Sequence, residues 1–147
     1  LPIIWSNKKI KKVNYYKIME IKGPISLGEL IDKITILEIK NEKINDKEKL
    51  KNISNELDKL FSLLNSLQLS KKDLDKYSKQ LYVVNKKLLE TEDILRALEN
   101  EKSFNKEFIE NARNVYKLND ERFRIKNKLN KQFSSEIIEE KSYKEYK

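Results

Sequence analysis

Residues Pro24–Lys43 read PISLGELIDKITILEIKNEK, and the rest of the chain is organised around this stretch. Ser26 stands three residues before Glu29. That is capping-box spacing, in which hydroxyl and carboxylate each satisfy a backbone N–H left free at a helix start. Leu27, Leu30, Ile34 and Leu37 then recur at steps of three and four, one face of a helix. Glu29, Asp32, Lys33 and Lys40 flank that face. The spacing predicts a first helix from about Leu27 to Ile44.

Beyond Ile44 the apolar rhythm loses phase. Extending it leads to Glu48, Lys51 and Asn55, whereas the next apolar series is Leu50, Ile53, Leu57, Leu60, Leu64 and Leu67. The face therefore rotates near Asn45–Asp46. Asn45 and Glu48 have cap spacing, which predicts a second helix from about Asp46 to Leu67. One kinked helix over 27–67 is the alternative, since neither Gly nor Pro forces a break. Ser70 and Asp73 mark another start. A heptad follows through Leu74, Tyr77, Leu81, Val84, Leu88, Leu95 and Leu98, with Thr91 alone out of type. This third helix reaches Asn100, about 45 Å at 1.5 Å per residue. A short turn near Glu101–Ser103 sends a fourth helix back antiparallel from about Asn105 to Lys131, with Phe108, Ala112, Val115, Leu129 and Phe133 on one face. That stripe also carries Asn119, Arg122 and Lys126, and polar groups on a core stripe are the informative exception. The tail keeps Ile137, Ile138, Tyr143 and Tyr146, enough to dock a short segment on the bundle. The expected fold is all-α: a helical bundle built on a long antiparallel helical hairpin, with one or two further helices packed along it.

Composition agrees and excludes much else. With 147 residues, two Gly and two Pro, all four before residue 29, the chain is one domain of long helices and not a loop-rich or all-β protein. It has no Cys and no His. Disulfides, thiolate zinc sites and Cys or His catalysis are thereby removed, so the reading leans away from an enzyme and assigns no metal and no cofactor. No apolar run approaches the roughly 18 residues of a membrane span, and the expected location is cytoplasmic.

The net charge of +8 is unevenly spread. Residues 1–18 hold five lysines and no acid, which leaves 27 basic against 24 acidic side chains in the rest, an ordinary solvated surface. No nucleic-acid binding is expected of residues 19–147. Residues 1–18 read as a separate basic extension, open to two interpretations. One is an arm whose Trp5, Tyr15 and Tyr16 stack on bases. The other is a disordered or non-native leader translated from upstream sequence, with Met19 the natural start of a 19–147 domain.

Folding the hairpin about residue 102 sets Glu92 opposite Arg113 and Asn85 opposite Asp120, a polar ladder beside the apolar seam. Such a ladder fixes register and antiparallel pairing. It also suggests a pocket for an anionic small molecule, a sugar phosphate or nucleotide sugar, in which Lys33, Arg113 and Arg122 face the anion while Glu92, Asp93 and Asp120 order it, with Arg96 and Asn119 beside them. The acids of TEDILRALENE, with Glu29 and Asp32, also invite a magnesium reading, but acid runs on lysine-rich helices are usually solvated faces.

The segments ISLGELIDKITILEIKNEKI, VNKKLLETEDILRALE, FIENARNVYKLNDERFRIKNKLN and IIEEKSYKEY together resemble an uncharacterised family of small bacterial proteins, known only as a domain of unknown function. The likeness spans about Ile21 to Tyr146. One departure is Leu89, where the family pattern has tryptophan, which puts one aromatic packing contact in question. The resemblance implies a setting near, or fused to, glycan-assembly and glycosyltransferase proteins, and hence a role in surface-polysaccharide metabolism. No catalytic residues come with it. The functional expectation is a non-catalytic interaction or accessory module whose partner is another protein. The alternative is a binder of, or enzyme acting on, an anionic small molecule.

Overall fold

The computed structural model describes residues 19–146. The basic extension 1–18 lies outside the described residues. Four helices follow in order: α1 (Leu27–Lys43), α2 (Lys47–Ser66), α3 (Lys71–Asn100) and α4 (Lys106–Gln132). Among the described residues there is no strand, and the all-α bundle on an antiparallel α3–α4 hairpin is what forms.

Residues 27–67 make two helices. Ile44 is extended at φ −89° and ψ 132°, which ends α1 without Gly or Pro. The cap of α2 is Asp46, whose carboxylate accepts the Lys49 N–H at 2.9 Å; the Asn45–Glu48 pairing is off by one residue. Asp is as good a cap as Asn and, charged, also complements the helix dipole. Ser26 caps α1 as expected, accepting the Glu29 N–H at 3.1 Å. Ser70 sits at the N-cap of α3 but its hydroxyl makes no capping bond, and Asp73 supplies only first-turn negative charge. Asn105 caps α4 through the Phe108 N–H.

Three helices end on a non-glycine residue in the left-handed region: Gln68 (φ 51°), Lys102 (φ 56°) and Ser134 (φ 52°). After α3 and α4 the chain closes Schellman bonds, Ser103 N–H to the Leu98 carbonyl at 2.9 Å and Ser135 N–H to the Asn130 carbonyl at 2.8 Å.

α1 is the hub. It packs against α2, α3 and α4, whereas α2 packs closely against α1 alone. The core joins Leu30, Ile31, Ile34 and Leu37 of α1 with Ile53 and Leu57 of α2, Leu74, Tyr77, Leu81 and Val84 of α3, and Ile125 and Leu129 of α4. All of α4's buried residues fall between Ile125 and Asn130. The hairpin is thus covered over its open half, and its turn end projects beyond the bundle. Across the hairpin the Tyr77 hydroxyl meets Gln132 at 2.6 Å, a bond between two long side chains. The turn, Glu101–Asn105, uses more residues than the predicted one.

After α4 the tail runs back along it as a strap. Glu139 reaches Lys126, Lys141 reaches Asp120 at 3.5 Å, and the Tyr146 ring meets Tyr116 edge-on at 4.9 Å. Charged and aromatic groups hold the strap, while the expected anchors Ile137 and Ile138 remain exposed.

Candidate functional site

Two polar clusters lie where α1 crosses the hairpin. In the first, Asp32 and Asn85 are 3% and 1% exposed. Asn85 Nδ2 donates to Asp32 Oδ1 at 2.8 Å and to Thr35 Oγ1 at 3.0 Å, and the Thr35 hydroxyl donates to the Asp32 carbonyl. Arg122 Nε stands 4.0 Å from Asp32 Oδ2. Burial pushes the Asp32 carboxyl above its ordinary 3.8, opposed by the Asn85 hydrogen bond and the positive charges of Arg122 and Lys126.

In the second, Lys126, 4% exposed, lies between two carboxylates: Glu29 Oε2 at 2.7 Å and Glu139 Oε2 at 2.6 Å. Burial acts to lower its pKa. Hydrogen bonds to Glu139 and Glu29, with the charges of Glu29 and Asp32, outweigh that and hold it above 10.5. Glu29 therefore serves α4 and the strap as well as the first turn of α1. Its expected return bond to Ser26 does not form because Lys126 claims the carboxylate. These contacts tie α1, α3, α4 and the strap together, although the buried Asn85 Oδ1 is left without a hydrogen-bond partner.

The open feature lies further along the same face of the hairpin. Leu81, Leu88 and Leu95 are successive heptad positions on α3; on α4 the matching series runs Leu129, Arg122, Val115, Phe108. Leu81, Leu88 and Leu129 are buried in the covered half, where Arg122 also reaches Asp32. Leu95, Val115 and Phe108 are only half-buried and, with Ala112, floor a cavity of about 750 Å³. Glu92, Arg96, Glu99 and Lys102 are among its rim residues. Phe104 and Ile109, 55% and 56% exposed, stand at the turn end.

A family model described as "Family of unknown function (DUF6165)" matches residues 21–146. The chain belongs to this family. The match takes in all four helices and nearly all of the strap, so the DUF6165 unit is the whole bundle. No curated protein matches the chain. No solved structure matches it.

Within this DUF6165 bundle the residues picked from sequence are dispersed. Lys33 pairs with Glu56 of α2 at 2.7 Å, and Asp93 with Lys43 at 3.8 Å. Asn119 offers its carbonyl, and Asp120 its carboxylate, to Lys141 of the strap. Arg122 faces Asp32. Arg113 is exposed, and among the described residues it forms no ion pair with Glu92, so the expected Glu92–Arg113 rung is absent. Glu92 and Arg96 meet on the rim of the distal groove, as Asn119 and Asp120 do at Lys141. Among the described residues no group of three or more potential ligands is placed to hold a metal ion, and no helix is long and apolar enough to cross a membrane. Sequence reasoning left Asp32 as a flanking surface acid and Asn85 as Asp120's partner. The available signal was Lys126 and Arg122 on an otherwise apolar stripe, which demanded buried acids elsewhere. Leu89 is half-buried on α3.

Proposed function

We propose that the domain is a non-catalytic interaction module whose distal hairpin groove seats an amphipathic helix of a partner protein. The observation that carries this reading is the continuity of one hairpin face. Its open half is closed by α1, and its turn half presents the same heptad positions uncovered. A helix laid there would bury Leu95, Phe108 and Val115 as α1 buries Leu81, Leu88 and Leu129, the helix-in-groove mode of recognition. Carboxylates and cations share the rim, which suits a partner helix bearing both signs and would fix its register. The surface-polysaccharide setting implied by the family resemblance makes a bacterial glycan-assembly protein the first partner to test. The Lys33–Arg113–Arg122 arrangement lends the anionic-ligand alternative no support, since these three side chains do not converge.

A photo-crosslinker placed at Ala112 in the native host tests the reading. A cross-link to one helix of one protein, lost when Val115 is changed to Asp while helical content is kept, is the expected result. Cross-links at Ala112 that are as diffuse as those from exposed Lys47 on α2 would overturn it.

A further inference from the structure

The opposite face of the hairpin carries a second groove of different chemistry. Two cavities of about 530 and 470 Å³ adjoin along α3 and α4 and share Glu121 and Arg124. Their linings hold five cations, Lys79, Lys87, Lys117, Arg124 and Lys128, against the single carboxylate of Glu121. Among the described residues none of the five takes part in an ion pair, although lysines elsewhere on the bundle pair freely with acids, as Lys33, Lys59 and Lys126 do. The floor is apolar: Val83, Val84, Leu118 and Ile125. Val83 is 51% exposed; it lies two residues, about 200°, from the buried Leu81 and so points away from α1.

We infer that this groove docks an acidic amphipathic helix of a partner protein, independently of the distal groove. The cations are strung out and do not converge. Lys79 and Lys87 are about 12 Å apart along α3, and Lys117 and Lys128 about 16 Å along α4. A single phosphate needs donors gathered on one point, whereas carboxylates repeated every three or four residues along a helix match two such rows. The floor decides against a nucleic-acid strand. It offers aliphatic side chains where a strand needs stacking rings, and the one aromatic in these linings, Tyr146, is already packed on Tyr116. An apolar floor between basic rims is the complement of a helix with an apolar stripe between acidic edges.

The test uses the full chain and a labelled, alanine-based helical peptide with leucines at i, i+3, i+4 and i+7 and glutamates beside them. Fluorescence anisotropy at physiological salt should show saturable binding that weakens as salt rises. A Glu-to-Gln version of the peptide should bind at least about tenfold more weakly, and K117E/R124E and K79E/K128E should each lose about tenfold with unchanged circular dichroism. Two pairs of variants guard against one that misfolds. Equal binding of the neutral peptide, full affinity in both variants, or no binding of the acidic peptide would overturn the inference. A single-stranded oligonucleotide that binds as tightly as the acidic peptide would also overturn it, in favour of nucleic acid.

Discussion

Gly28 and Asn130 touch across the whole length of the fold. The Gly28 N–H donates to Asn130 Oδ1 at 2.6 Å, and a Cβ on Gly28 would lie 2.9 Å from both that oxygen and the Lys126 carbonyl. The first turn of α1 therefore sits on the backbone of α4 at a distance only glycine permits. Asn130 is fully buried, so neither side can yield cheaply. Gly28→Ala should destabilise the protein by up to about 2 kcal/mol: overpacking of about 1–3 is set against the roughly 1 that alanine gains in helix propensity. Urea denaturation reads the change. A stabilised variant would show that α1 shifts freely on α4.

Asn85 and Arg113 should behave oppositely. Asn85→Ala removes the amide that bonds buried Asp32 and Thr35 and should cost about 2–4 kcal/mol, the penalty for an unpaired buried acceptor plus a small cavity. Arg113→Ala, at an exposed position, should stay within about 0.5 kcal/mol. Equal losses in chemical denaturation would mean that Arg113 has a partner in solution.

Two opposing pH dependences follow from the crossing of α1. The folded Asp32 carboxyl titrates above its ordinary 3.8, so the folded state holds this proton more tightly than the unfolded chain. The cost of burying the charge is thus relieved as pH falls from neutrality through the raised value towards 3.8. Lys126 also titrates higher when folded, above 10.5. Its contribution is fully present below the unfolded value of about 10.4 and disappears as pH rises through the folded one. Relative to Asp32→Asn, wild type should gain stability towards acid pH. Relative to Lys126→Gln, it should lose stability above about pH 10.4. Parallel stability–pH curves for wild type and either variant would contradict the corresponding assignment.

Stability should be concentrated in the covered half of the hairpin. Leu129→Ala, at a position with no exposure, should cost about 2–5 kcal/mol. Leu95→Ala, half-buried in the open groove, should cost less, about 1–2, since part of its surface stays in water and the site opens to solvent in place of a closed cavity. Amide exchange should likewise be fastest at Lys102–Glu110. A Leu95 variant as damaging as the Leu129 one would show that the distal groove is closed in solution.

Ser134 holds a left-handed conformation that its Cβ disfavours. Ser134→Gly should raise stability by about 0.5–1 kcal/mol, the strain relieved less the added freedom of the unfolded chain. A lower melting temperature would show that the Ser134 side chain itself supports the strap.

The sequence by itself determined the helices and their order. Periods of three and four residues, the cap at Ser26, and a heptad from Leu74 to Leu98 interrupted only by Thr91 are local signals, and local hydrogen bonding obeys them. The end of α1 near Ile44 was legible as a change of phase, although its neighbour's cap moved from Asn45 to Asp46. Tertiary structure alone decided the partners. Which carboxylate meets Lys126 depends on how α1 and the strap lie on α4, since Glu29 and Glu139 are 97 residues before it and 13 after it in the chain, and no local signal sets that. Asn85 turns to Asp32 of α1 instead of Asp120, whose carboxylate goes to Lys141 of the strap, and Glu92 makes no ion pair with Arg113 among the described residues. The open groove was equally invisible, because Leu95 and Leu88 are the same residue type in the same heptad position. Only the placement of α1 on the hairpin, anchored where Gly28 meets Asn130, determines that one is buried and the other half-open.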